Sequence, residues 1–269
     1  MSSKQRGRLR VASQFVLAIF YLFPLWWMLA AAFHPQGRPL PTTLWPTGFT
    51  VANFGRVWAL VPFGQFLLNS VLVAAIATPL TLLTASWAGL GMALLPRASQ
   101  QRWVILSLAV LMVPGVALWS TRFVLYKELG WLDSVLALIA PAWMGTTPFY
   151  VLMFYRAFRR LPQALYEAAR LDGAHVGQVW WWVALPLVRP TAVAVSLLAF
   201  VFYWGDFVSP LLYLRGQDLT TLPIALQLLQ QMSRSDWPLL MAAAVLATAM
   251  PVALLLLIQP YFAHIATED

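Results

Sequence analysis

Six stretches of this chain are each about as long and as apolar as the hydrocarbon core of a bilayer is thick. They are residues 11–33, 63–95, 103–123, 135–158, 187–214 and 238–262. A transmembrane helix needs roughly 20 mainly apolar residues, and each stretch supplies them. The chain as a whole is 61% hydrophobic and 10% charged, with a mean hydropathy of +0.74. Soluble domains are nearer ~45–50% apolar and ~25% charged. The surplus cannot be hidden in one water-soluble core, so the bilayer must be the solvent. The expected fold is an all-α membrane protein with six transmembrane helices. Residues 1–10 form a basic N-terminus and residues 11–269 a single polytopic domain. The first stretch follows a basic start as a signal peptide would, but it is longer than a signal core and five more follow it. It is read as a retained anchor.

Charge placement sets the expected orientation. Putting the N-terminus inside leaves eleven basic residues inside: Lys4, Arg6, Arg8, Arg10, Arg97, Arg102, Arg156, Arg159, Arg160, Arg170 and Arg189. Only Arg38, Arg56, Arg122, Lys127, Arg215 and Arg234 fall outside. This asymmetry is the positive-inside bias, and it accounts for the net charge of +8 without a nucleic-acid partner. With six spans both termini are cytoplasmic, and so is the connection between spans four and five.

Several classes of chemistry are disfavoured. There are no cysteines, hence no disulfide framework or thiolate metal site. His34, His175 and His264 follow no ligand spacing, so no metal is expected. A phosphate-binding loop of the form G-x-x-x-x-G-K-S/T is absent, and neither Lys4 nor Lys127 follows a glycine. A lipid-modifying membrane enzyme would need acids, histidines or serines clustered at one face, and no such cluster is found. A passive channel is a further rival. The chain is expected to be no enzyme.

Within the spans, Ala85, Gly89 and Ala93 recur every four residues, a stripe that lets another backbone approach closely. Pro114-Gly115 and Pro251 should bend or loosen their helices. Asp206 is an acid deep inside an apolar run, which by default suggests a functional role; a polar packing contact is the even alternative. Tyr203 and Trp204 offer aromatic faces for a solute, and Asn69 either lines a path or bonds a neighbouring helix. Two outside loops are long, 34–62 and 219–237. In the second, Thr221 and Pro223 suit the start of a short interfacial helix, with Ile224, Leu228 and Met232 on one face.

Residues 161–186 break the apolar pattern. Pro162 suits a helix's first turn, residues 163–171 are mostly good helix formers, and Asp172-Gly173 supplies a stop. A helix this short is unstable alone and must lie against something. Leu161, Leu165 and Ala168 fall on one side, with Ala169 and Asp172 alongside and Ala164 and Leu171 flanking. Trp180, Trp181 and Trp182 follow at the headgroup level, where tryptophans collect.

Glu167-Ala168-Ala169, Gly173 and Leu185-Pro186 resemble the EAA signature of permeases of ATP-binding-cassette importers, E-A-A-x(3)-G-x(9)-I-x-L-P, with Val183 in the isoleucine place. Phe66-Leu67-Leu68-Asn69-Ser70, Val113-Pro114 and Trp204-Gly205-Asp206-Phe207 are similar to the carbohydrate-uptake branch, in particular the second permease of maltose-type importers. The resemblance implies a multi-pass protein of a bacterial or archaeal inner membrane, forming half of a path for a carbohydrate or related polyol by alternating access. A non-sugar solute such as a polyamine is the alternative. It also implies that 163–171 is a cytoplasmic coupling helix between spans four and five. Glu167, Ala168, Ala169, Leu171, Asp172, Gly173 and Pro186 would then engage the ATPase. The implied partners are an ATPase dimer that holds ATP and Mg, a second permease, an extracytoplasmic solute-binding protein and membrane lipid. The chain itself would bind no cofactor.

Overall fold

The structure, a computed structural model, describes the backbone of residues 3–36, 48–216 and 218–268, with side chains placed for 12–36, 48–216 and 218–260. Every regular element among them is helical. In chain order these are α1 (Ser3–Ala32), α2 (Ala52–Leu60), α3 (Phe63–Leu94), α4 (Arg97–Leu111), α5 (Gly115–Glu128), α6 (Val135–Ile139), a 3-10 segment (Ala140–Met144), α7 (Pro148–Arg160), α8 (Gln163–Leu171), α9 (Val176–Gln178), a π segment (Val179–Ala184), α10 (Leu185–Leu187), α11 (Arg189–Trp204), α12 (Val208–Tyr213), α13 (Leu222–Met232) and α14 (Trp237–Glu268).

Among the described residues, four segments are long and apolar enough to cross a membrane: Ala12–Ala32, Phe63–Leu94, Val135–Arg160 and Trp237–Pro260. Two bent pairs raise the number to as many as six. The first pair, α4 and α5, turns through 90° where Pro114 removes an N–H donor and Gly115 follows. The sequence marks that bend. The second pair turns through 88° between Val176–Leu187 and Arg189–Trp204. Its hinge is Val188 (φ −106, ψ 23), with Pro190 in the first turn of α11. The bend thus falls at the start of the expected span 187–214. The expected run 187–214 is broken again at Gly205–Phe207, between α11 and α12.

The chain divides into two compact units. The first comprises Met1–Gln65 and Ile224–Leu257. Here the C-terminal end of α1 is closed by Asn53, whose buried side-chain amide donates to the carbonyls of Ala32 (2.9 Å) and His34 (2.8 Å). Those carbonyls are among the groups a helix end leaves unpaired. Arg56 donates to the Asn53 amide oxygen and forms an ion pair with Asp236 at 2.6 Å. Asp236 also accepts the Leu239 N–H, which caps the start of α14.

The second unit comprises Phe66–Pro223 and Ile258–Asp269. Its core gathers Tyr150, Phe154 and Phe158 of α7 around Ala85 and Leu90 of α3, together with Trp180, Ala184, Val195 and Ala199. The small-residue stripe behaves as its spacing predicts. A Cβ added at Gly89 would lie 2.6 Å from the Phe154 Cβ and 2.8 Å from the Tyr155 nitrogen. Only glycine lets α3 and α7 come this close. In lipid, such packing and its dispersion contacts replace the hydrophobic drive available in water.

Candidate functional site

The segment after α7 is built by local rules. Leu161 precedes a proline and is extended (φ −69, ψ 139), which ends α7 at Arg160. Pro162 is itself extended (φ −57, ψ 134), so it stands just before the first turn of α8 and not within it. At the other end Gly173 has φ +77. The Gly173 N–H donates to the Arg170 carbonyl and the Ala174 N–H to the Ala169 carbonyl, both at 3.0 Å. This pair of bonds is the Schellman stop, and it requires the left-handed residue that Gly173 supplies. A Cβ at Gly173 would meet nothing within 4 Å, so the requirement is one of backbone conformation and not of space.

Packing turns one side of α8 inward. Its one buried residue is Tyr166, 8% exposed, within the same core as Phe154, Phe158 and Trp180. The Tyr166 hydroxyl donates to the Phe158 carbonyl at 3.2 Å. Phe158 lies in the last turn of α7, and its carbonyl also accepts the Leu161 N–H at 3.2 Å. A tyrosine can fill the apolar gap and also reach that acceptor, which a leucine cannot. Burial raises the Tyr166 pKa above its ordinary value. Leu161 and Ala169 pack at the edge of this core.

With Tyr166 turned in, Ala164, Leu165, Glu167, Ala168 and Leu171 are exposed, Leu171 at 89%. The Glu167 carboxylate accepts a bond from the Gln163 amide at 2.8 Å. Asp172 is exposed at the C-cap. A cleft of 330 Å³ lies beside the helix, lined by Arg97, Gln100, Arg159, Tyr166, Glu167 and Arg170 among others. Sequence reading missed both Tyr166 and Gln100. The buried Gln100 amide donates to the carbonyls of Ala93 (3.0 Å) and Leu95 (2.7 Å), and its oxygen accepts from Tyr155 at 3.1 Å. It closes the end of α3. A glutamine four residues into an otherwise polar turn carries no signal that would have revealed this.

Beyond the glycine, His175 and Gln178 cap α9 reciprocally: each side chain accepts the other's backbone N–H. The chain then widens into the π segment. Trp180 is buried there and donates from Nε1 to the Ser86 hydroxyl at 3.1 Å, while Trp181 and Trp182 face outward. Pro186 is half-buried just before the bend. Thus α8 is fastened to α3, α7 and the π segment through one continuous core.

The residues considered for a solute path fall elsewhere in this unit. Asn69 donates to the carbonyls of Asp218 and Thr220, at 2.8 and 2.9 Å. The Tyr203 hydroxyl bonds to Thr146 at 2.7 Å, and Thr146 to Thr81 at 2.6 Å. Buried Trp204 stacks on Phe200, with centroids 5.4 Å apart. Asp206 lies in the break after α11 and accepts the Ser209 N–H at 3.1 Å, capping α12. An acid that appears mid-span in the sequence is a helix-end residue in the fold. Thr221 occupies the expected N-cap position of α13, but its buried hydroxyl has no hydrogen-bond partner among the described residues; the Leu222 N–H is accepted by Ser70 instead.

Residues 82–264 match the family described as binding-protein-dependent transport system inner membrane component. The chain belongs to that family. This inner membrane component is a transporter part and not an enzyme. It is 32% identical over 252 residues to the sulfoquinovosyl glycerol transport system permease protein SmoH of Agrobacterium fabrum, covering 93% of this chain and 88% of that one. To the trehalose/maltose transport system permease protein MalG of Thermococcus litoralis it is 29% identical over 258 residues, covering 94% and 92%. To the lactose transport system permease protein LacG of Rhizobium radiobacter it is 27% identical over 231 residues, covering 86% and 84%. Its fold is similar to a chain of a bacterial ABC transporter involved in the import of the acidic polysaccharide alginate. The TM-score is 0.78 at 19% identity, over 97% of this chain and 99% of that one. The inner membrane component thus shares its fold with a solved importer chain along nearly its full length.

Proposed function

We propose that this permease forms half of the path of an ATP-driven importer for a carbohydrate or glycoside, with α8 as the helix that couples it to a separate ATPase. The carrying observation is the outward face of α8. Leu171 is 89% exposed beside Ala164 and Ala168, on a helix whose Tyr166 is locked into the membrane unit. A short helix fixed from behind, with an apolar front and one carboxylate, suits insertion into a groove that offers a basic residue. Glu167 is that carboxylate, while Ala168 and Ala169 keep the profile low. Asp172 and Gly173 end the knob, and Pro186 precedes the bend into α11. Force applied to α8 would reach α3, α7 and α11 through Tyr166 and Trp180.

In this reading the N-terminus, α8 and the C-terminus are cytoplasmic, in keeping with the basic residues around them. ATP and Mg belong to the partner ATPase dimer. A second permease completes the path, and a solute-binding protein delivers cargo from outside. Asn69, Tyr203, Trp204 and Asp206 serve the path by holding the helix ends that shape it. The sugar-derived substrates named for three relatives support a carbohydrate cargo. The test is Glu167→Lys in the assembled importer. It should weaken retention of the ATPase and reduce solute uptake while membrane insertion stays intact. Unchanged uptake would refute the coupling role. Uptake assays with labelled sugars, polyols and polyamines decide the cargo class.

A further inference from the structure

The 88° bend between the π segment and α11 encloses a groove of 630 Å³ that the coupling reading does not use. It is lined by Trp181, Trp182, Leu185, Pro186, Arg189, Ala192 and Val193. The walls are apolar and aromatic, with Trp182 74% exposed and Trp181 51%. The sole charged lining residue is Arg189, the first residue of α11, which is exposed and has no ion pair or hydrogen bond among the described residues.

Position decides what such a groove meets. Arg189 opens an apolar span, so its guanidinium lies at the membrane–water boundary, whereas Ala192 and Val193 are one turn further into the hydrocarbon. Tryptophans gather at that same boundary. A groove that is basic at its mouth and apolar along its length matches a molecule that is anionic at one end and apolar along its length. We propose that it holds one anionic phospholipid, with its phosphate on Arg189 and the upper part of an acyl chain against Trp181, Trp182 and Val193. The guanidinium fork suits a phosphate better than a lysine would. The inference needs no assignment of α8 to an ATPase, since it concerns only the leaflet that residues 181–193 enter.

The test uses the full chain, purified in its assembly and placed in nanodiscs. Tryptophan fluorescence is titrated with brominated phosphatidylglycerol or brominated phosphatidylcholine. The Trp181→Phe/Trp182→Phe double variant isolates the signal of those two rings. Phosphatidylglycerol should quench them at about fivefold lower mole fraction, the preference one basic side chain confers at an anionic surface. Arg189→Gln should abolish the preference, Arg189→Lys should keep part of it, and Arg102→Gln should leave it unchanged. Four outcomes would overturn the proposal. One is equal quenching by the two lipids in the unaltered chain. Another is equal loss in Arg102→Gln, which would mean general surface charge. Relief of quenching by soluble glycerol phosphate would mean a free-anion site. Absence of quenching by either lipid would mean that another polypeptide covers the groove.

Discussion

Tyr166 and Asn53 show how single side chains fix this membrane protein where its helices end. Each supplies donors to carbonyls at a helix terminus. Tyr166→Phe keeps the ring but removes the bond to Phe158, at a cost of about 1 kcal/mol. Hydrogen exchange across 163–171 should accelerate while the spans keep their protection. Because burial raises the Tyr166 pKa, the protonated form is the one the fold favours. Its contribution is complete below about pH 10, the unfolded value, and is lost as pH rises through the higher folded value. Wild type should therefore show extra exchange in α8 on alkaline titration, and Tyr166→Phe should not. Asn53→Ala strands two carbonyls beside a buried position and should cost about 1–3 kcal/mol, read as a lower unfolding temperature in detergent. Neither residue announced its role in the sequence. Ranking by hydrophobicity points to the leucines of 161–171 as the packing face, whereas the mount required a hydroxyl as well as bulk.

At the scale of elements, what could be read from the sequence was whatever depends on backbone chemistry alone. The stop at Asp172-Gly173, the bend at Pro114-Gly115 and the close approach over Gly89 follow from proline's missing donor and glycine's missing side chain. Gly89→Val should force α3 from α7 against the Phe154 Cβ and the Tyr155 backbone, costing about 1–3 kcal/mol or more, and should lower the yield of folded protein in size-exclusion chromatography. Gly173→Ala meets no atom yet must hold φ +77, so a loss of about 1–2 kcal/mol confined to the end of α8 is expected. The hinge at Val188 and the π segment stayed hidden because no glycine marks them. For Asp206, read evenly as a functional acid or a polar packing contact, the fold adds a cap on α12, and hydropathy alone does not register the break in 187–214 that makes it one.

For the whole molecule, hydropathy identified the segments that cross or nearly cross the bilayer, and family membership agrees with that reading. Of the two bent pairs, the sequence marks the first at Pro114-Gly115 and leaves the second, at Val188, unmarked. Orientation is a property of the entire chain, resting on the distribution of all seventeen basic residues. The absence of native cysteine makes it directly testable. Leu171→Cys should react with a membrane-impermeant maleimide only after cells are permeabilised, and labelling in intact cells would invert the topology.

The π segment has a consequence for how length changes are tolerated. Its wider turn accommodates a surplus residue, so Val179–Ala184 works as a phase adjuster between α9 and the bend. Removing one residue there, beyond Trp180, would restore an α-helical turn and leave the flanking helices in their present angular phase, because the surplus residue is what the wider turn absorbs. Trp180 would stay on Ser86. A deletion within α11, which has no such turn, would instead rotate one side of the helix against the other by about 100°. A single-codon deletion in this hexad should therefore be tolerated better than one in α11, a comparison that probes mechanical register with little change of composition.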